Sequence, residues 1–344
     1  LRIFVYEYVT GGGMLQQARL PATLRTQGAA MLTALAGDFA ALRGAEVLVL
    51  RERRCRRLKL PGCVIDVATP EEAQRAWTRA VTCSDWTVVI APEQGHALLQ
   101  CCRRVLAAGG KLLGPPLELV QLASSKHATA VHLRAEGLPV PEGHLLPPGA
   151  PLPRWARWPS VLKPDDGAGS EQVVLLRGWK PRRLTDRWWR LEAYCAGEPA
   201  SVAVLGGTAG CVVLPPCRQR ISCNGRFAYR GGQLPLPRKL AQRAVRLAQR
   251  TVAALPRHLG YLGIDLILGD ATDGSRDVVV EVNPRLTTSY VGLRAACRGN
   301  LAEAMLQLAS GTVPQLGFRP QPVVFAPDGT CRPIAVGRDR ARSP

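Results

Sequence analysis

The sequence predicts an open parallel α/β sheet followed by an antiparallel α+β module. Apolar runs alternate with helical patterns through the first third of the chain. Short β runs joined by Gly, Pro and Asp turns fill the middle, and a strongly amphipathic helix with two further strands follows. With 344 residues, 47% of them apolar, and a mean hydropathy of +0.00, the chain is long enough for two or three packed domains, and extensive disorder is excluded.

In order, apolar runs at 3–9, 45–50, 64–67 and 87–91 are expected strands, separated by helical patterns at 18–36, 71–80 and 96–108, with a short fifth strand at 111–114. The stretch SSKHATAVHLRAEGLPVP reads as a helix capped by Ser124 or Ser125 and ended by Gly137. Residues 160–163, 172–176, 191–195 and 201–205 are short strand candidates. Residues 237–255 form an amphipathic helix with Leu240, Ala244, Leu247, Thr251 and Leu255 on one face and Arg243, Arg246 and Arg250 outside it. Strands at 263–268 and 278–283 precede a last helix at 301–309. From Gly311 the chain reads as Pro-rich and aperiodic, with a disordered end.

No window approaches the roughly 18 apolar residues of a membrane helix, and the opening LRIFVYEYVTGGG lacks the layout of a secretory signal. The expectation is a cytoplasmic protein with no membrane partner. Eleven cysteines without a C-x-x-C pair suit neither a disulfide framework nor a zinc site, and read as reduced, mostly buried small apolar residues. The five histidines show no metal-ligand spacing.

A net charge of +19 raises the question of a nucleic-acid partner. Arginines supply most of that charge and are scattered, so runs such as 51–57, and Arg182, Arg183, Arg187 and Arg190, read as solvated faces. Four tryptophans among arginines, Trp155, Trp158, Trp188 and Trp189, read as amphipathic packing. A nucleic-acid partner is therefore not favoured. Lysine occurs only at 59, 111, 126, 163, 180 and 239, and a lysine kept in so arginine-rich a chain marks a place where a compact ammonium is wanted.

Two constellations carry chemistry. In GIDLILGDATDGSRDVVVEVNPRL, a hairpin symmetric about Asp273 and Gly274 sets Leu268 opposite Val278, Leu266 opposite Val280 and Asp265 opposite Glu281, the last two about 5 Å apart. Asn283 shares the face of Glu281 by the two-residue period of a strand. Facing carboxylates suit a divalent metal with hard oxygen ligands, Mg²⁺ or Mn²⁺. Acids at solvated strand ends, or paired with Arg285, would explain the same residues. In VLKPDDGAGS, a strand delivers Lys163 to a small-residue turn whose amides can approach an anion. Taken alone, a turn without ligand is the more common explanation of that stretch.

The order of these features, Lys126, Lys163 with its loop, LEAYCAGEPASVAVL and then D…E-x-N, resembles the ATP-grasp superfamily. The resemblance implies ATP as cofactor, with Lys126 and Lys163 on the phosphates and Asp166, Gly167, Ala168, Gly169 and Ser170 as the covering loop. It further implies Glu192, Tyr194 and Cys195 along the adenine pocket, Glu198 on the ribose hydroxyls, and Asp265, Glu281 and Asn283 as Mg²⁺ ligands. The implied organisation is an N-terminal α/β domain over 1–114, a small nucleotide-binding subdomain over 115–198, a C-terminal subdomain with the metal site over 199–311, and an irregular tail over 312–344.

More narrowly, FVYEYVTGGG, RQRISCNGRFAYRGGQLPL and EVNPRLTTSYVGL resemble the subgroup containing tyramine-glutamate ligase of methanofuran biosynthesis. The implied reaction joins a small-molecule carboxylate to an amine through an acyl phosphate, by alignment and charge screening. Arg285 and Arg220 are candidate clamps for the carboxylate or acyl phosphate, which favours glutamate, with its second anionic group. An ion pair of Arg285 with Glu281 or Asp265 stands as the alternative. A nucleic-acid binder on a degenerate nucleotide fold and a phosphotransferase acting on another acceptor are the rival functions. The oligomeric state is left open.

Overall fold

The computed structural model of the chain describes residues 1–154, 157–167, 172–222 and 224–334. Its first unit comprises β1 (Arg2–Glu7), α1 (Ala22–Ala40), β2 (Glu46–Glu52), β3 (Cys63–Val67), α2 (Pro70–Thr82), β4 (Trp86–Ile90) and α3 (Ala97–Ala107). Runs such as IFVY and VLVL are apolar at successive positions because both sheet faces are covered, and the four strands pair in parallel in the order β3-β2-β1-β4. The α2 helix starts at a reciprocal cap of Thr69 and Glu72, with Pro70 at its first position. The expected strand at 111–114 is only a single parallel bridge between Thr87 and Leu112. Pro115 and Pro116 follow it and remove the N–H donors a longer ladder would need.

The second unit adds α4 (Leu117–Ala123) and α5 (Lys126–Ala135), then β5 (Gly143–Leu146), β6 (Ser160–Pro164), β7 (Val174–Leu176) and β8 (Trp189–Ala193). These strands form an antiparallel sheet, β5-β8-β6-β7, over a small core of Leu146, Leu162, Trp189 and Leu191. Ser125 caps α5, accepting from the Ala128 N–H. Trp188, just before β8, is half exposed, while Trp189, the first residue of β8, is buried. Trp155 lies outside the described residues.

The third unit contains β9 (Glu198–Gly207), β10 (Gly210–Val213), β11 (Cys217–Ile221), β12 (Tyr229–Leu234), α6 (Arg238–Ala253), β13 (Gly260–Leu268), β14 (Val278–Asn283), α7 (Ser289–Ala296), α8 (Leu301–Ala309), β15 (Val323–Phe325) and β16 (Cys331–Pro333). Its sheet runs β14-β13-β9-β11-β12-β15-β16, with β10 paired to β9. The first and third units share one core in which α1 packs on α7 and α8. Asp38 of α1 holds Arg294 at 2.6 Å and accepts from the Tyr290 hydroxyl at 2.6 Å.

Several expectations are corrected here. The stretch after Gly311 is not irregular throughout: β15 and β16 extend the large sheet, and Phe325 is buried against Gly292, where a Cβ would fall 2.2 Å from the ring. Residues 335–344 lie outside the described residues. Arg243 is buried rather than solvated, because the turn before β14 folds Asp277 onto α6 and the two form an ion pair. Arg190 is likewise buried, 1% exposed. Arg51 pairs with Asp66 and Arg54 with Glu52. Of the ten described cysteines, all free, only five are buried; Cys63, Cys83 and Cys211 are exposed. No helix among the described residues is long and apolar enough to cross a membrane.

Candidate active site

A cleft opens between the small sheet and the large one, and Lys126, Lys163, Gly167, Glu192, Tyr194, Cys195, Asp265 and Glu281 are among its lining residues. Two lysines 37 positions apart in sequence meet there because Asp165, just past β6, anchors the start of α5. Its carboxylate accepts from the Ser125 hydroxyl at 2.6 Å and the His127 N–H at 2.8 Å, and its carbonyl accepts from the Lys126 N–H at 3.0 Å. Lys163 Nζ lies 2.5 Å from Glu192, which Arg190 holds from the other side at 2.7 Å. Arg190 also donates to the Pro141 carbonyl and contacts His127 Nδ1. Glu192 thus positions Lys163 besides lining the cleft. Beyond it Tyr194 and Phe227, with ring centroids 6.3 Å apart, and Val161, Ile221 and Ile267 form an apolar wall suited to a flat base.

The acid end is the β13–β14 hairpin. Asp265 does stand opposite Glu281, Ile264 opposite Val282 and Gly263 opposite Asn283. Beyond Asp265 the register slips by one, so Leu266 faces Val279 and Ile267 faces Val278 rather than the partners a symmetric hairpin gives. A bulge leaves one extra residue on β14 and ends the two-residue symmetry there. Glu281 pairs with Lys126 at 2.8 Å. Burial pushes its carboxyl up, but the two cleft lysines outweigh burial and hold it below the usual range. For Lys126, burial works downward and Glu281 more than reverses it. Among the described residues the hydrogen-bond partners of Asp265 are two amides, Gln219 at 2.8 Å and Asn283 at 3.2 Å. Burial and neighbouring Glu281 push it up to about 7.

Two facing carboxylates and an amide, one acid with no ion pair among the described residues, form a donor set that fits a hard divalent ion. Among the described residues no cluster of three or more His, Cys, Asp or Glu is gathered for a metal; the third member here is the Asn283 amide.

Other expected residues are placed differently. Arg285 pairs with neither Asp265 nor Glu281. It reaches Glu93, after β4, with Nη2 donating at 2.9 Å and Nε 2.9 Å from the other oxygen, and it lines a second cavity beside the acid end. Arg220 is exposed, because on β11 its neighbours Gln219 and Ile221 face the cleft. Glu198, at the start of β9, pairs with Arg218 at 2.9 Å and is not among the cleft-lining residues. Asp166 accepts from the Gly95 N–H at 3.1 Å and pairs with Arg187 at 2.7 Å; burial opposes its ionisation, yet these contacts hold its carboxyl below the usual range. Gly167 offers its carbonyl to Lys126, and Ala168, Gly169 and Ser170 lie outside the described residues. Sequence reasoning missed Asp165 and Gln219, whose partners are distant in sequence, and Arg190, which besides nearby Glu192 meets the distant Pro141 and His127. The lone signal was the doubled acid of PDDG.

Residues 45–120 match the pre ATP-grasp 3 domain and residues 123–289 the ATP-grasp domain. The chain therefore carries an ATP-grasp domain preceded by its pre-ATP-grasp domain. Among the proteins it resembles, the tyramine–L-glutamate ligase of Methanocaldococcus jannaschii is 25% identical over 226 residues, which are 66% of this chain and 63% of that protein. The match thus spans less than two thirds of that relative's length. An ATP-grasp superfamily protein from Archaeoglobus fulgidus superposes with a TM-score of 0.70 at 20% identity, over 95% of this chain and 92% of that one. An L-amino acid ligase from Bacillus licheniformis does so with a TM-score of 0.66 at 19% identity, over 94% and 79%. At such identities the likeness to solved structures establishes the fold.

Proposed function

We propose that the protein is an ATP-dependent, ADP-forming ligase that joins a small-molecule carboxylate to an amine through an acyl phosphate, with glutamate and tyramine or a related aryl-alkyl amine as the pair. The observation that carries this reading is one cleft lined by the two buried lysines and by Asp265 and Glu281, with Asn283 bonded to Asp265 beside it. The named relative supports the substrates.

Lys126 and Lys163 bind the nucleotide phosphates, exchanging carboxylate partners for phosphate oxygens, and the apolar wall around Tyr194 and Phe227 takes the base. Asp265, Glu281 and Asn283 would hold Mg²⁺ or Mn²⁺, which when bound screens phosphate charge. Arg285 orients the substrate carboxylate through its planar fork while Glu93 fixes the guanidinium. The carboxylate oxygen attacks the γ-phosphorus, and ADP leaves. The amine then attacks the acyl carbon and phosphate departs. The chain supplies alignment and charge rather than a nucleophile of its own. A cytoplasmic location goes with this reading.

The test is coupled detection of ADP over a panel of amino acids and amines, with product mass checked for loss of water relative to the pair. Glutamate with tyramine is expected to stimulate ADP release. Stimulation by other pairs alone overturns the substrate assignment, and none by any pair overturns the class.

A further inference from the structure

In the N-terminal sheet the chain runs from β1 outward through β2 to β3 and then returns to the other side of β1 as β4. The strand order therefore reverses between β1 and β4, and in open parallel sheets ligands bind in the crevice beyond the carboxyl ends of the strands at such a point. A cavity occupies this crevice. Glu7, the last residue of β1, lines it together with Pro92, Met31 of α1 and Arg285.

Glu7 is 3% exposed. Its carboxylate accepts from the Thr10 hydroxyl at 2.6 Å, the Thr10 N–H at 2.6 Å and the Val9 N–H at 3.2 Å. The chain carries 45 lysines and arginines, yet none of the ion pairs found among the described residues involves Glu7; Arg285, which lines the same cavity, is committed to Glu93. Burying a carboxylate without a cation is costly. Room is nevertheless kept for it: a Cβ on Gly28 would fall 2.4 Å from Glu7 Oε1. Gln27, Met31 and Arg285 line this cavity and also the one beside Asp265 and Asn283, so the crevice adjoins the acid end of the cleft across these three side chains.

We infer that Glu7 binds the ammonium group of the amine substrate and takes its first proton, with Met31 and Leu24 against the apolar tail. The inference rests on the ligase reading proposed above. R–NH₃⁺ gives one proton to Glu7, and the freed nitrogen lone pair forms the C–N bond at the acyl carbon. The C–O bond to phosphate breaks, and the departing phosphate carries off the electron pair and the second N–H proton. Burial, working against the three hydrogen bonds, pushes the Glu7 carboxyl up to about 7, which suits a proton acceptor near neutral pH.

The test compares two nucleophiles in Glu7→Gln, which keeps volume and one hydrogen-bond acceptor. Hydroxylamine is mostly neutral at pH 7.5 and needs no carboxylate to hold or deprotonate it, whereas tyramine is an ammonium. With glutamate and ATP, Glu7→Gln is expected to form hydroxamate within about twofold of wild type but to raise the KM for tyramine or lower its turnover by at least tenfold. Gly28→Ala, which pushes the carboxylate aside, should shift the same ratio in the same direction. Equal loss with both nucleophiles, or an unchanged tyramine response, overturns the assignment. Wild-type protein that forms neither hydroxamate nor amide from any carboxylate overturns the ligase reading instead.

Discussion

At the lysine end of the cleft every buried charge described has an opposite partner: Lys163 meets Glu192, Glu192 also meets Arg190, and Lys126 meets Glu281. At the acid end Asp265 meets, among the described residues, the amides of Gln219 and Asn283 and stands across the hairpin from another carboxylate. The first arrangement is self-sufficient and can be traded for phosphate when a nucleotide enters. The second is satisfied only when a cation arrives. Removing a charge should therefore have opposite consequences for stability at the two ends while damaging catalysis at both.

The largest effect is expected for Asp265→Asn. ADP formation should fall by at least about 100-fold, while the ligand-free protein melts no lower than wild type, because like-charge repulsion with Glu281 is relieved. Calorimetry beside the ADP assay checks both halves, and a lowered melting temperature would contradict the contrast. Lys163→Met should cost both properties. Breaking a buried pair costs roughly 3–5 kcal/mol, partly offset here because Arg190 still holds Glu192. ATP affinity and turnover should fall together. Lys163→Arg should not restore them, since a planar fork does not replace a point charge.

A smaller, more selective effect is expected at Arg285. Arg285→Lys keeps a cation near Glu93 but loses the bidentate fork, and should raise the KM for glutamate about tenfold with little change in the KM for ATP. Two buried groups outside the cleft sharpen the comparison through pH. Glu7, pushed up to about 7, keeps its proton between about pH 4.5 and 7 in the folded chain while the unfolded chain ionises there. Stability from this group is thus full below about 4.5 and is lost as pH rises through 7, up to about 3 kcal/mol. His258, which burial pushes down to about 4, does the reverse: its contribution is present above about 6.5 and lost as pH falls through 4. Melting curves of Glu7→Gln against wild type should therefore diverge between pH 4.5 and 7, with the variant the more stable on the alkaline side. The smallest effect is expected for Ser125→Ala, about 1 kcal/mol from the lost cap and the lost contact to Asp165.

The hairpin shows how far local sequence reaches. Asp265 opposite Glu281 follows from strand period and a short connection, both set within about twenty residues, and the slip past Asp265 shows where that symmetry stops because a bulge has no composition of its own. Cap and breaker residues likewise mark α5 and α8 closely. Arg190 and Arg243 were legible only as charge: burial depends on which distant groups come to meet the guanidinium, and Pro141 and His127 for Arg190, and Asp277 for Arg243, do so only in the folded chain. Arg220 and Glu198 fell away from the cleft for a related reason. A motif fixes the approximate place of a residue along a strand, but which face it takes follows from pairing with strands brought together from elsewhere.

The sequence by itself determined the alternation of strands and helices, the caps, the facing pair of acids and the sparse lysines, since each depends on side-chain chemistry and short-range periodicity. The tertiary structure alone decided that Asp165 joins the two lysine-bearing elements, that Arg285 crosses 192 positions to Glu93, and that Glu7 lies buried, with no ion pair among the described residues, at the reversal between β1 and β4. These contacts link segments far apart in the chain, and their energies exist only once burial has removed water from between the charges.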